Sequence, residues 1–167
     1  MKATLIIALL LCLIAPVGYA QNEPEDFDTF LQKFTESASF QYERIKFPLT
    51  TPILLFDENE EEREFPFTRD KWPLLGAESF KEGRAVLEDG NVYVSAFTVS
   101  ESKRKEFEAG YEESELDLSV VFELINGKWY VTDCYNSWYG FDLPAEDLKQ
   151  AVIQLQELNK EFKEKHP

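Results

Sequence analysis

The sequence has little of the chemistry on which most enzymes depend: two cysteines and one histidine in 167 residues. The histidine, His166, is next to the last residue, so a histidine-based mechanism requires the tail to fold back onto a site. Serine triads fail for the same reason, and no Gly-x-Ser-x-Gly elbow is present. The shortage of histidine and cysteine also disfavours zinc. We therefore expect neither a metal nor a cofactor.

Long hydrophobic runs are equally scarce, and the one that stands out lies at the N-terminus. It extends from Leu5 to Ile14, follows Lys2, and precedes the small-residue site Gly18-Tyr19-Ala20. This order is typical of a secretory signal peptide. The run is shorter than the roughly 18 residues of a membrane span, and no later segment qualifies. We expect residues 1–20 to be cleaved and the protein to be exported, either to the periplasm or out of the cell.

Cleavage would leave Cys134 as the remaining cysteine, which excludes an intramolecular disulfide. Burial must then stabilise the fold, and 14 Phe, 7 Tyr and 3 Trp supply large side chains for it. The formal net charge is −15, which disfavours nucleic acid and anionic membranes as partners. Part of this charge lies in the stretch from Asp57 to Glu64, which lacks the ligand spacing and central glycine of a calcium loop. We interpret that stretch as a solvated loop.

Helical periodicity occurs near both ends of the exported chain. Apolar residues recur at helical spacing from Phe27 to Phe34, and again from Leu148 to Phe162 after Pro144. A third, shorter helix is predicted over 71–81. Residues 21–26 are predicted to form a flexible N-terminus, and 27–167 a single domain. The inward-facing residues that these patterns predict are Phe27, Phe30, Leu31, Phe34, Trp72, Leu75, Phe80, Leu148, Ala151, Val152, Leu155, Leu158 and Phe162.

Antiparallel strands are predicted between the helices. Asp89-Gly90 and Asn126-Gly127 are dipeptides that favour two-residue type I′ turns, so each predicts a tight hairpin. A looser hairpin is predicted between 40–56 and 64–68. The fold class is therefore α+β, with helices packed on an antiparallel sheet. Counting outward from the two tight turns predicts the pairs Leu87–Val92, Val86–Tyr93, Ala85–Val94, Ile125–Lys128, Leu124–Trp129, Glu123–Tyr130, Phe122–Val131, Val121–Thr132, Val120–Asp133, Ser119–Cys134 and Leu118–Tyr135.

This register places Asp133 on an apolar sheet face and Cys134 on the opposite, mixed face. A carboxylate buried without donors costs several kcal/mol, so it finds partners, shifts its pKa upward, or lines a solvated cavity. The last arrangement would suit proton transfer near neutral pH. The alternative is a structural role, in which Asp133 lies near a strand end and caps a turn or accepts a hydrogen bond from a tyrosine.

Three segments together resemble a family of secreted bacterial proteins catalogued as domain of unknown function 4348. They are residues 40–49 (FQYERIKFPL), 72–76 (WPLLG) and 127–133 (GKWYVTD). That family is similar to the nuclear transport factor 2-like superfamily, also described as cystatin-like or ketosteroid-isomerase-like. The resemblance implies a cone in which helices, here with an additional C-terminal helix, pack on a strongly curved antiparallel sheet around a pocket. It also implies possible homodimers through the sheet, and it carries no established activity.

Three functional hypotheses stay open at this point. The leading hypothesis is a non-catalytic exported binding module for a small apolar or amphipathic molecule or an envelope protein. The alternative is an isomerase or dehydratase with Asp133 as the base. A pocketless scaffold that associates through Trp138-Tyr139 is a further reading. The candidate pocket residues are Asp133, Trp129, Tyr135, Trp72, Tyr93 and Tyr111.

Overall fold

A computed structural model describes residues 23–112, 114, 116–140 and 142–167, so the predicted signal peptide lies outside the described residues. Within that part, no helix combines the length and the apolar character needed to cross a bilayer. The helices are α1 (Phe27–Glu36), α2 (Ala38–Glu43) and α3 (Leu148–Lys165). The strands are β1 (Ile53–Phe56), β2 (Glu62–Phe65), β3 (Gly83–Val86), β4 (Val92–Ser100), β5 (Arg104–Tyr111), β6 (Leu116–Ile125) and β7 (Lys128–Asn136).

Strands β3 to β7 form a meander in which each strand pairs antiparallel with the next. Three residues, Thr98 on β4, Asp117 on β6 and Thr132 on β7, are extra residues at bulges in the pairing. Each bulge bends and twists its strand, which curves the sheet. Strands β1 and β2 pair separately. The predicted α+β class, with helices on a curved antiparallel sheet and a helix at the C-terminus, is confirmed.

Aromatic rings fill the space between α1 and the sheet. Phe30 and Phe34 of α1 are fully buried, and Phe27 lies 5.0 Å from Trp129 between ring centroids. Phe122 on β6 contacts all three α1 phenylalanines at centroid distances of 5.4 to 6.0 Å. Most of these ring pairs meet edge to face, the geometry that aromatic quadrupoles favour. We call the set Phe27, Phe30, Phe34, Phe97, Phe107, Phe122 and Trp129 the aromatic core.

The predicted helix over 71–81 is wrong, although Trp72, Leu75 and Phe80 are buried as expected. Two short 3-10 turns, Arg69–Lys71 and Ala77–Phe80, flank an extended piece. Side chains replace the missing backbone partners of that piece, because buried backbone groups need hydrogen bonds. The fully buried Gln41 accepts from the indole N–H of Trp72 at 3.1 Å and from the backbone N–H of Leu75 at 3.1 Å, and donates to the Leu75 carbonyl at 2.7 Å.

The same extended piece explains a deviation in α3. Leu158 was expected to face inward, but it is 51% exposed, and Asn159 is buried in its place. Asn159 donates to the Trp72 carbonyl at 2.8 Å and accepts from the Leu74 N–H at 2.8 Å. An amide side chain occupies this position because α3 packs there against the extended piece, whose backbone groups lack backbone partners and need side-chain ones.

The N-terminal segment is attached to the β6–β7 hairpin. The Glu25 carboxylate accepts two hydrogen bonds from Arg44, at 2.8 and 3.1 Å, and one from the backbone N–H of Trp129 at 2.9 Å. Asp26 caps α1 by accepting from the Thr29 N–H at 2.9 Å. Glu25 and Asp26, which lie in the segment 21–26 that is predicted to be flexible, thus both have hydrogen-bond partners.

Two of the predicted hairpins differ from their expected form. In the looser one, 38–43 is the helix α2 and only β1 and β2 pair. The Asp89-Gly90 hairpin has a three-residue loop instead of two, because Gly90 adopts the left-handed conformation at φ 88° and Leu87 bonds to Asn91. The register is therefore shifted by one residue: Val86 pairs with Val92, Ala85 with Tyr93 and Arg84 with Val94.

Candidate ligand-binding site

The Asn126-Gly127 hairpin has the predicted tight turn, but its register changes half-way along β7. The pairs from Ile125–Lys128 to Phe122–Val131 are as predicted. Beyond them, Thr132 is the extra residue, so Val121 pairs with Asp133 and Val120 with Cys134. The prediction that Asp133 faces the apolar interior is wrong, and so is the placement of Cys134 on the less buried face. Cys134 is 4% exposed and belongs to the core.

Residues 44–51 run along the edge of β7, and we call them the edge segment; the Asp133 carboxylate binds this segment. It accepts from the Thr51 backbone N–H at 2.9 Å and from the Thr51 hydroxyl at 2.7 Å. It also accepts from the Cys134 N–H at 3.0 Å. Three donors hold this carboxylate in place, so Asp133 attaches the edge segment to the sheet.

Two predicted site residues, Trp72 and Trp129, lie in the filled interior. Trp72 is 0% and Trp129 3% exposed. Their indole N–H groups donate to Gln41 and to the Glu25 carbonyl, respectively. Neither indole lines the two pockets described below. Packing contacts and hydrogen bonds already surround each of these side chains.

A small pocket lies beyond the aromatic core, between β1 and the end of β7. Its volume is about 130 Å³, and it is lined mainly by apolar side chains. Strand β1 supplies one wall, and Cys134 and Tyr135 supply the facing wall. We call it the apolar pocket, and its lining residues are Thr51, Pro52, Ile53, Leu54, Phe56, Glu62, Phe67, Cys134, Tyr135, Asn136, Tyr139 and Gly140.

A wider and more polar depression adjoins the apolar pocket. Its volume is about 700 Å³, and Tyr135 and Gly140 line both spaces. The predicted residues Tyr111 and Tyr135 meet here, together with the carboxylates of Asp117 and Asp142. We call it the acidic depression, and its lining residues are Tyr111, Ser114, Leu116, Asp117, Tyr135, Ser137, Trp138, Gly140, Asp142 and Leu143.

Tyr93 lies next to this depression. Its ring meets that of Tyr111 edge to face at a centroid distance of 5.2 Å, and its hydroxyl is hydrogen-bonded to Asp117. Burial raises the pKa of Tyr93, and the charge and hydrogen bond of Asp117 raise it further. Four of the six residues predicted from the sequence thus lie near this end of the sheet: Tyr93, Tyr111, Tyr135 and, on the neighbouring edge, Asp133.

The pair Trp138-Tyr139 does not form an exposed aromatic patch. Tyr139 is buried and its hydroxyl donates to the Lys71 carbonyl at 2.8 Å. Trp138 is half-buried, and its indole N–H is enclosed without an acceptor in the described part of the chain. A buried donor left in that state costs about 1–3 kcal/mol.

Groups suited to nucleophilic, acid–base or metal chemistry are not concentrated here. Burial, and then the nearby charge of Asp133, raise the pKa of the Cys134 thiol, which disfavours the reactive thiolate. His166 packs on Phe162 at a ring distance of 4.6 Å and lines neither pocket. Among the described residues, no group of three or more His, Cys, Asp or Glu side chains is placed to hold a metal ion.

Sequence reasoning missed the β1 wall of the apolar pocket and the contribution of Asp117. A signal for the wall was present: Ile53, Leu54, Leu55 and Phe56 are all apolar, and a strand apolar at every position needs apolar contacts on both faces. Asp117 carried no comparable signal, because its position follows from a bulge in β6.

Known proteins share this architecture. A protein-family model matches residues 25–163. The crystal structure of a cystatin-like protein from Bacteroides caccae is 58% identical, with a TM-score of 0.83, over 87% of this chain and 98% of that chain. The chain belongs to this family of cystatin-like proteins. No curated protein matches the sequence.

Two solution structures of similar chains extend the comparison. The NMR structure of a protein from Bacteroides uniformis is 62% identical, with a TM-score of 0.81, and covers 87% of this chain and 99% of that one. The NMR structure of a protein from Bacteroides ovatus is 58% identical, with a TM-score of 0.82, over 87% and 95%. The cystatin-like architecture therefore recurs across nearly the full length of these relatives.

Proposed function

We propose that this cystatin-like protein is an exported, non-catalytic binding module whose ligand inserts an apolar group into the apolar pocket. The observation that carries the proposal is the pocket itself, a largely apolar space close to the buried residues of the core. Ligand sites are typically concave and apolar with a few polar groups at the rim. Here Glu62, Tyr135 and Asn136 supply the polar groups.

The size of the pocket limits what enters it. Its volume of about 130 Å³ is close to that of an engineered apolar cavity of roughly 150 Å³ that binds benzene. A single ring or a branched aliphatic group therefore suits it, belonging either to a small molecule or to a protein partner. Larger ligands would extend outward past Tyr135 into the acidic depression.

The hydrogen bonds of Asp133 favour binding over proton transfer. A general base needs a lone pair directed at the substrate proton. The two Asp133 oxygens instead accept from Thr51 and Cys134, and Asp133 lines neither pocket. The isomerase or dehydratase alternative thus loses the residue on which it depended.

Export and the finer family assignment belong to the same proposal. The N-terminal pattern supports cleavage after Ala20, and the three resembling segments support the family of domain of unknown function 4348 within the nuclear transport factor 2-like superfamily. Mass spectrometry of the protein expressed from its full reading frame tests the export step. We expect a mature N-terminus at Gln21, and an intact N-terminus would contradict export by this route.

Titration with 2-phenylethanol, followed by ¹⁵N NMR, tests the binding function. We expect millimolar affinity, with shifts centred on the β1 strand and on Cys134 and Tyr135. Leu54→Asp places a charge on the pocket wall at a residue that is already 38% exposed. It should weaken binding at least about tenfold while leaving the fold intact, because an apolar group then meets a hydrated carboxylate.

Leu158→Asp is the matched control, since Leu158 is 51% exposed on α3 and lines neither pocket. Its affinity for 2-phenylethanol should equal that of the unmodified protein. Equal affinity in both variants, or the absence of saturable shifts in the unmodified protein, would contradict the proposed function.

A further inference from the structure

The acidic depression combines aromatic faces with carboxylates. Tyr111, Tyr135 and Trp138 line it together with Asp117 and Asp142. Tyr111 is 38% exposed, so its ring is accessible from solvent. Aromatic faces and carboxylates both attract organic cations, the former through the ring quadrupole and the latter through charge.

Among the described residues, no basic side chain forms an ion pair with either carboxylate. In the described part of the chain, every ion pair of Arg or Lys is made with some other acid, and neither Asp117 nor Asp142 takes part. Asp117 lies beside the Tyr93 hydroxyl, a neutral group that does not cancel the charge of the carboxylate. The formal net charge of −15 adds a field of the same sign.

The depression also adjoins the apolar pocket. Tyr135 and Gly140 form part of the wall of both spaces. A ligand with its apolar group beside Leu54 can therefore extend past Tyr135 toward Asp117. The apolar space and the acidic space then hold opposite ends of one molecule.

We propose that the two spaces form one site for a small amphipathic organic cation, with its apolar group in the apolar pocket and its ammonium group at Asp117 and Asp142. This inference rests on the proposed function, which requires only that the apolar pocket bind. It adds the chemical class of the ligand: an amine with a ring or a short branched chain. A neutral or anionic molecule with the same apolar group binds less tightly.

Three probes of similar size and different charge separate these cases: 2-phenylethylamine, 2-phenylethanol and phenylacetate. Each is titrated by ¹⁵N NMR at pH 7 and low salt. We expect the amine to bind at least about threefold more tightly than the alcohol, as for a partly exposed ion pair. Phenylacetate should bind at least about threefold more weakly than the alcohol. In 1 M NaCl the preference for the amine should largely disappear, because the Debye length falls to about 3 Å.

Two variants test whether the preference for the amine comes from the carboxylates of the depression. The double substitution Asp117→Asn with Asp142→Asn should bring the affinity for 2-phenylethylamine close to that for 2-phenylethanol. Asp28→Asn is the matched control at an exposed acid on α1, and it should preserve the preference. If both variants lose the preference for the amine, the overall negative charge of the protein is its source. That result would overturn the assignment of the ammonium site to the depression.

The outcomes also separate the inference from the proposed function. If the alcohol binds in the apolar pocket and the amine shows no advantage, the inference is overturned and the binding function stands. If none of the three probes binds, both are overturned. A preference for the amine that disappears only in the Asp117 and Asp142 variant supports both.

Discussion

The aromatic core and the pocket region are built from the same kinds of residue, yet one is filled and the other is open. In the core, phenylalanines interlock at centroid distances of 5 to 6 Å and leave no polar tip to satisfy. In the pocket region, Tyr111, Tyr135 and Trp138 carry polar ends and stand beside carboxylates. The difference indicates that α1 supplies stability, and it is the reason why we place the proposed binding site at the far end of β5 to β7.

The largest expected difference between the two regions is in stability. Phe34→Ala should lower the free energy of unfolding by about 3–5 kcal/mol, because Phe34 is fully buried among α1, Trp72 and Phe122. Tyr111→Ala, at a half-exposed ring, should cost less than about 1.5 kcal/mol. Urea unfolding followed by tryptophan fluorescence measures both. Similar losses of unfolding free energy in the two variants would contradict the distinction between a stabilising core and an open pocket region.

The attachment of the N-terminus to the core is expected to have a smaller, pH-dependent effect. Glu25→Gln should cost about 1–3 kcal/mol at pH 7, because Arg44 and the Trp129 N–H lose a charged acceptor. Burial opposes ionisation of Glu25, but the hydrogen bonds from Arg44 and Trp129 and the charge of Arg44 outweigh it, so its folded-state pKa is lowered.

The sign of the pH dependence follows from that lowered pKa. The stabilisation is complete above the unfolded-state pKa of about 4.3 and is lost as the pH falls through the folded-state value. The difference in stability between the unmodified protein and Glu25→Gln should therefore shrink below about pH 4. Glu23→Gln, at an exposed residue, is the control and should change little. A difference that is constant from pH 7 to pH 3 would show that the ion pair is not its source.

The smallest effect is expected at Asp133, where the edge segment meets β7. Asp133→Asn should cost about 1 kcal/mol, since the amide keeps part of the hydrogen bonding to Thr51. Hydrogen exchange should be faster at the Thr51 amide and unchanged at Phe122 in the core. Protection of Thr51 equal to that in the unmodified protein would show that Asp133 does not hold the edge.

Sequence reasoning predicted the fold well where local signals decide it. The α1 stripe from Phe27 to Phe34 is inward-facing, and the Asn126-Gly127 turn gives the right pairs as far as Phe122–Val131. It failed at Thr132, because a bulge depends on how the whole sheet curves and has no local signature in one sequence. That single residue reversed the faces assigned to Asp133 and Cys134.

The candidate site was predictable only in part, for related reasons. Tyr111 and Tyr135 are aromatic residues with polar ends, which is why the sequence indicates them, and the structure places both at the depression. Trp72 and Trp129 are also aromatic residues with polar ends, but their indole N–H groups are hydrogen-bonded in the interior. The acceptors belong to Gln41 and Glu25, which are distant from them in the sequence. Periodicity reports which face of an element is apolar; whether that face is filled depends on what packs against it.

Xenon binding to a crystal of the protein distinguishes an open apolar pocket from a filled aromatic core, because xenon occupies apolar spaces that side chains leave open. We expect a xenon atom in the apolar pocket, in contact with Leu54 and Tyr135, and none among Phe30, Phe34 and Phe122. Xenon within the aromatic core and none in the pocket would contradict this expectation.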